Sequence, residues 1–508
     1  MVTQNNVSNK KLTILNICFS LLLEIVVLVH GLIVPRLILR TFGSEINGLV
    51  SSITQFLSLI TIIEGGVGGV VKAALYKPLA NNDSQKLSAV FNAANSFYKR
   101  LGIIYIIYGL IVAVVYPFVF KVPFDWFFVF SLVVVIALQT FIQYFFSLSL
   151  RTLIIADRKG FIVSIVSIAI QLISLLMAFL VINLFPNVLV LKGSSIILFV
   201  LQPIIYSLYV KKHYALNRCE PKDRESLKQR WDGFSHNLAF FIHSNTDIVL
   251  LTIFCTLSDV SIYSVYFLAV NALKTLVSSI SSSIAPTMGN VLAKGDFEAK
   301  NKAFNIYSFV TNTISTFCFS CGIVLVTPFV LLYTQNVTDT NYFRPLLGYL
   351  LMIAEYVYCI RGPYVETAYS CGHFKQTSVH AYVEAATNIV LSIVLLFFFG
   401  IEGVALATLV AMLYRTIAHV IYLKKNILFR KISTSLISFL PQVLTIVLTF
   451  VVMYFIKIDI STYFDWIIYA TITAGITISF LSIFILVFER RMAFTTLRYV
   501  FQKKRTEV

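Results

Sequence analysis

The chain has 508 residues, of which 58% are hydrophobic and 12% charged, and it carries a formal net charge of +17. A soluble domain carries about 25% charged residues, so this composition excludes an ordinary soluble protein. Mean hydropathy is +0.85, and the apolar residues fall in long blocks joined by short basic connectors, which is the pattern of an all-α polytopic membrane protein.

In chain order, Lys10 and Lys11 precede the first apolar block. That block runs too long for a signal peptide and no small-residue cleavage site follows it, so it reads as a retained span over 12–42. Further spans are expected at 46–70, 91–120, 124–147, 160–183 and 188–210. These six form an N-terminal lobe, 1–210, followed by a polar cytoplasmic linker, 211–234. Spans at 235–257, 259–285, 303–333, 342–362, 376–399 and 401–423 form a second lobe, 235–423. A last pair at 434–457 and 464–488 lies with a basic tail in 424–508. Fourteen transmembrane helices put both termini on one side. Most of the 40 Lys and Arg residues, Arg361 counted among them, fall at that side, so the N-terminus and C-terminus are expected to be cytoplasmic. The same placement removes nucleic acid as a partner, because topology and attraction to anionic membrane lipids account for the charge.

An internal repeat supports two lobes. LANNDSQKLSAVFN (79–92) matches LAKGDFEAKNKAFN (292–305) at Leu, Ala, Asp, Phe and Asn, and SEIN (44–47) matches SDVS (258–261) at an offset one residue longer. Six helices separate the copies. The second copy therefore enters the membrane from the same face, giving a parallel repeat of the kind secondary transporters use, with substrate bound between the halves.

Several spans carry polar groups that lipid disfavours. An ionised side chain at a span centre costs ~2.5–3.5 kcal/mol on insertion scales. Yet FIHSNTDIVLL (241–251) holds His243 and Asp247, and helix 8 holds Lys274. Helix 11 carries His380, Glu384 and Asn388, and helix 12 carries Arg415 seven residues after Thr408. Helix 1 carries Glu24 in mid-span and Arg36 and Arg40 in its outer third, while helix 10 carries Glu355. Single Ser, Thr and Asn residues read as interhelical hydrogen bonds. The charges read as a cavity or pathway, with Asp247 and Lys274 able to pair across neighbouring helices. In EGGVGGVVKAALYKP (64–78), Gly65, Gly66, Gly68 and Gly69 are candidates for an inner gate or hinge, or for tight helix packing. The Cys318–Cys321 CxxC reads as packing, and neither a disulfide nor a metal site is expected. Outer connectors are short and no nucleotide-binding loop is present, which weighs against a membrane-embedded polymerase or ligase and against any enzyme.

PRLILRTFGSEINGL (35–49), RTLIIADRKGF (151–161), NTDIVLLTIF (245–254) and VSIYSVY (260–266) carry a resemblance to a known family. In these stretches and in its layout the chain resembles the Wzx-type flippases, the polysaccharide-transporter branch of the MOP superfamily, with a MATE-like fold. The resemblance implies alternating-access translocation of undecaprenyl-pyrophosphate-linked oligosaccharide across a bacterial plasma membrane, for capsule, exopolysaccharide or O-antigen assembly. It implies no cofactor, an H+ or Na+ gradient as the coupling source, and a polysaccharide polymerase and other assembly proteins as partners. In that setting Arg36, Arg40, Lys274 and Arg415 are candidates to hold the pyrophosphate. His243, Asp247 and Glu384 are candidates for the pathway, and Glu24, His243 and Asp247 for ion coupling. A lipid II flippase and a MATE-type multidrug cation antiporter are the rival readings; charges of mixed sign lean against cationic drugs.

Overall fold

A computed structural model describes residues 9–64, 67–120, 122–223, 225, 234–294, 296–429, 432–456, 458–496 and 498. Within these the chain is helical, with no strand. Its helices are α1 (Asn9–Ser58), α2 (Thr61–Glu64), α3 (Val67–Ala80), α4 (Ser84–Val119), α5 (Trp126–Ile142), α6 (Leu148–Ala156), α7 (Gly160–Leu184), α8 (Val188–His213) and α9 (Phe234–Phe254). They continue with α10 (Leu257–Lys294), α11 (Phe297–Tyr333), α12 (Pro345–Ser370), α13 (Phe374–Asn426), α14 (Ile432–Phe455) and α15 (Tyr463–Phe488).

The described residues hold fourteen spans. Among the described residues nine helices are long and apolar enough to cross a membrane. Two of them, α1 and α13, each hold a pair of spans that reverse at Gly43 (φ 84°) and Gly400 (φ 61°). Only glycine takes that backbone without strain, so each hairpin is written into one residue. Shorter apolar stretches in α9 and α14, together with α12, complete the set. Lipid-facing surfaces are apolar, as at Ile111, Phe118, Leu176, Phe397 and Ile478.

Two spans depart from simple cylinders. The second span, expected over 46–70, ends its first piece at Ser58, continues as α2 and runs on in α3 to Ala80. The fourth is interrupted between α5 and α6 by a π-helical turn, Gln143–Ser147, which inserts one extra residue into the ladder. The repeat has a structural meaning at its matched aspartates. Asp83 accepts from the Lys86 amide at the start of α4, and Asp296 accepts from the Ala299 amide at the start of α11. Each satisfies an otherwise orphaned helix N-terminal donor.

The chain forms two compact units, Met1–Ser261 and Ile262–Val508. In the first, α1 packs on α7 and α9, α4 on α5, and α8 on both α5 and α7, around a core that includes Leu49, Ile53, Tyr105, Tyr116 and Tyr144. The unit ends beyond α9 because α9 and the first turn of α10 lie along the second span. Asn47 Nδ2 donates to Ser261 Oγ at 2.8 Å, Thr252 Oγ1 to Ser52 Oγ at 2.7 Å, and Ser58 Oγ to Asn245 Oδ1 at 3.3 Å. Asn47 and Ser261 are repeat-equivalent residues that touch each other. The lobe boundaries 1–210 and 235–423 describe topology rather than packing, and this division does not decide them. In the second unit α12 packs on α11 and α13, and α14 and α15 pack on α11.

Gly48 makes the α1 contact possible. A Cβ built there would lie 1.9 Å from the Leu257 carbonyl oxygen and 2.8 Å from its carbon. Overpacking costs about 1–3 kcal/mol when side chains can yield, and here the obstacle is backbone. Gly48→Ala should therefore lower thermal stability in detergent by at least the upper end of that range. Gly193→Ala, where nothing lies within 4 Å, should leave it unchanged. Equal melting of the two variants would mean that α1 and α10 do not approach this closely.

Candidate functional site

The second unit buries a connected group of charges on α10, α12 and α13. Reversal at Gly400 lays the two spans of α13 side by side, so residues at similar distances before and after it meet. Asn388 Nδ2 donates to Thr408 Oγ1 at 2.9 Å, and Arg415 Nη1 donates to Glu384 Oε2. From α12, Arg361 Nη1 reaches the other oxygen, Glu384 Oε1, at 2.9 Å. One carboxylate thus serves two guanidinium groups, one on each oxygen. Nearly two turns away along α12, Lys274 Nζ of α10 lies 3.1 Å from Glu355 Oε2 and 3.2 Å from Oε1. The Tyr358 ring joins the two sets: Lys274 Nζ is 4.3 Å and the Arg361 guanidinium 5.0 Å from its centroid, both within cation–π range.

Burial decides what this arrangement means. Relative exposure is 6% for Lys274, 2% for Glu355, 4% for Arg361, 1% for Glu384 and 5% for Arg415. Charges so far from water cost several kcal/mol each unless paired with good geometry. The ion pairs among these five described residues join three cations to two carboxylates, with Glu384 shared by two of them. Donors are in excess: each guanidinium offers five N–H groups, and Arg415 Nε has no hydrogen-bond acceptor among the described residues. His419 Nδ1 donates to the Arg415 carbonyl oxygen at 2.9 Å, packing its ring against the cluster. His380 sits at its edge, 3.2 Å from Tyr414 Oη. Chemically the group is a buried knot of guanidinium and ammonium donors able to meet an anion rich in acceptors.

The sequence candidates fall into three sets. Lys274, Glu384 and Arg415 come together in this knot, and Lys274 takes Glu355 as a carboxylate partner. Glu24 and Arg36 are partly buried in the first span, Arg40 is exposed beside Gly43, and Asp247 is buried in α9. The side chain of His243, and Gly65 and Gly66, lie outside the described residues. Gly68 and Gly69 lie in α3, where an added Cβ would meet nothing closer than Tyr98 Oη at 4.0 Å. Tight packing therefore does not explain those two. Cys321 Sγ lies 3.5 Å from Thr477 Oγ1, between α11 and α15.

Arg361 is the residue the sequence misplaced. The span drawn over 342–362 put Arg361 at its end, among the cytoplasmic cations; α12 instead runs on through Pro363 to Ser370. Proline is tolerated in membrane helices because neighbours satisfy the freed carbonyl. The aromatic between two polar positions, Glu355, Tyr358 and Arg361 at three-residue spacing, was the available signal. Glu64 was also passed over. It stands at the head of the glycine motif and accepts a hydrogen bond from Tyr144 Oη, in the π-helical turn.

No protein-family model matches the chain, and no curated protein does. Solved structures do. The lipid II flippase MurJ in an inward closed conformation is similar over 94% of this chain and 100% of that one, with a TM-score of 0.72 at 15% identity. The MATE multidrug transporter DinF-BH matches with a TM-score of 0.60 at 15% identity, over 84% of this chain and 98% of that one. An inward-facing multidrug resistance MATE transporter of the MOP superfamily matches at 0.54 and 11% identity, over 80% and 96%. At such identities the likeness establishes the fold, which is the polytopic helical fold of these transporters.

Proposed function

We propose that this chain is a Wzx-type flippase that moves polyprenyl-pyrophosphate-linked oligosaccharide across a bacterial plasma membrane by alternating access, with both termini cytoplasmic. The observation that carries this reading is the buried knot of three cations on two carboxylates, set in a fold similar to that of the lipid II flippase and MATE transporters. A sugar with a diphosphate cannot cross hydrocarbon unaided, because each unsatisfied polar group costs several kcal/mol there. A carrier for it must hold cations inside the membrane and hold them closed when empty. Arg361 and Arg415 on Glu384, and Lys274 on Glu355, fit that description: a phosphate can replace a carboxylate partner by bidentate hydrogen bonds. Arg36 and Arg40 remain candidates for the first unit's share of pyrophosphate binding. Glu24, His243 and Asp247 remain candidates for coupling to H+ or Na+, which supplies ~2.3 kcal/mol per charge per 100 mV. In this reading a polymerase receives the cargo on the outer face, and the chain itself does no covalent chemistry.

Proteoliposomes containing the purified chain test the cargo. Undecaprenyl-pyrophosphate-linked oligosaccharide should become accessible on the far leaflet much faster than in empty vesicles. Movement of lipid II at the same rate would favour the lipid II flippase reading, and proton-driven movement of a cationic dye without lipid-linked sugar would return the antiporter.

A further inference from the structure

The first unit holds a second cationic feature, remote in sequence from the knot. A crevice of about 1250 Å³ lies between α4, the π-helical turn with α6, and α8, and it is walled on one side by the segment following α8. Five cations line it, Lys99, Arg100, Lys211, Arg218 and Lys222, and no Asp or Glu does. Among the described residues none of the five forms an ion pair; Lys222 Nζ donates to Ser96 Oγ at 3.1 Å, and Lys99 lies over the Phe145 ring at 5.4 Å.

The wall is built, not incidental. Asn92 Nδ2 donates to the Asn217 carbonyl at 2.9 Å and to the Glu220 carbonyl at 3.1 Å, while the Asn217 amide donates to Ser88 Oγ at 3.0 Å. Tyr214 Oη donates to Asp157 Oδ2 at 2.6 Å. These bonds strap 214–222 across the start of α4 and bring Arg218 and Lys222 to the side that Lys99 and Arg100 occupy. The one acid on the strap, Glu220, accepts from Gln85 at 2.8 Å instead of from a cation.

The crevice also has a direction. On α4 the cations 99 and 100 precede Ile103, and on α8 Lys211 follows Leu208, Ile204 and Val200 toward the chain end. Each helix therefore carries charge at one membrane face and apolar side chains deeper in. Ile103, Phe146, Val200, Ile204 and Leu208 are between 41% and 63% exposed. From Lys211 to Val200 the track is about 16 Å long at 1.5 Å per residue, enough for a glycerol backbone and the upper part of an acyl chain. No cation lines its deep end, so the site holds a headgroup at one face and offers no second station for one that crosses. Basic pockets between transmembrane helices at the cytoplasmic side are suited to lipid phosphate.

We infer that this crevice is a binding site for an anionic glycerophospholipid, its phosphate held by Lys99, Arg100 and Lys211 under the 214–222 strap and one acyl chain lying along Ile103, Ile204 and Leu208. The occupant is a resident of one leaflet, distinct from the proposed cargo.

Native mass spectrometry of the full-length protein in detergent tests this with four probes: phosphatidylglycerol, phosphatidylcholine, undecaprenyl phosphate and inorganic phosphate. Wild type should retain phosphatidylglycerol over phosphatidylcholine by about tenfold or more, and Lys99→Gln/Arg100→Gln/Lys211→Gln should lose that preference, since each cation near an anionic lipid contributes of the order of a fivefold change. Lys99→Arg/Lys211→Arg should keep it. Leu208→Gln, which touches no cation, should weaken retention and keeps the test decisive if the triple variant folds poorly. Equal retention of the two diacyl lipids by wild type overturns the inference. So does displacement of phosphatidylglycerol by millimolar inorganic phosphate, which would make this a free-phosphate site. Loss of undecaprenyl phosphate but not phosphatidylglycerol in the triple variant would assign the crevice to the cargo and overturn it equally.

Discussion

Glu384→Gln should destabilise the protein by about 3–5 kcal/mol, the cost of leaving a buried charge without its partner. Glu384 is 1% exposed and accepts from Arg361 on one oxygen and Arg415 on the other. The amide keeps the shape and one acceptor but removes the negative charge, so two guanidinium groups face each other across a neutral side chain. Against a total stability of about 5–15 kcal/mol for a typical domain, the loss is large enough to see twice, as reduced abundance in the membrane and as a lower melting temperature in detergent. Glu384→Gln/Arg361→Met should recover much of it, because removing a cation together with the charge it served relieves the imbalance. A wild-type melting temperature in the single variant would mean that water or lipid phosphate already neutralises the arginines, and the closed knot would not describe the empty protein.

The second large effect is expected at Lys274. Lys274→Gln removes the cation 3.1 Å from Glu355 and leaves that carboxylate in a site where it is 2% exposed. A loss similar to that of the first variant is expected. Lys274→Gln/Glu355→Gln should restore abundance and melting, since a neutral pair of similar volume is tolerated where a broken ion pair is not. This double variant separates folding from transport. If Lys274 holds the pyrophosphate, the restored protein should remain unable to move lipid-linked oligosaccharide in vesicles. Full transport by the double variant would make the pair structural and transfer the cargo role to Arg361 and Arg415.

How much of this was legible in the sequence differs by level. The spans were legible because lipid leaves a helix no alternative to about 20 apolar residues, and the hairpin glycines Gly43 and Gly400 stand at the expected junctions. The 79–92 and 292–305 match identified two aspartates that turn out to cap α4 and α11. The polar stripe of His380, Glu384 and Asn388, set against Thr408 and Arg415, was also readable, because helical spacing puts those residues on single faces. Partner choice was not. Lys274 has Glu355 beside it in space, and nothing in spacing along one helix says which acid a neighbouring helix presents. Arg361 was lost for a different reason: a span of about 20 apolar residues drawn over 342–362 left it at the end, whereas α12 runs on to Ser370 and buries it.

The charge content of α12 bears on how the protein is made. With Glu355, Arg361 and Glu366 along its length, α12 is absent from the helices apolar enough to cross a membrane by themselves, and each such residue at a span centre costs ~2.5–3.5 kcal/mol at the insertion machinery. Synthesis runs from N- to C-terminus, so Lys274 of α10 is already in the bilayer when α12 emerges and can neutralise Glu355. The carboxylate that neutralises Arg361 arrives only with α13, whose two spans, folded about Gly400, deliver Glu384 and Arg415 together. Stable insertion of α12 is therefore expected only once α13 has been made, because Glu384 offsets the cost of Arg361.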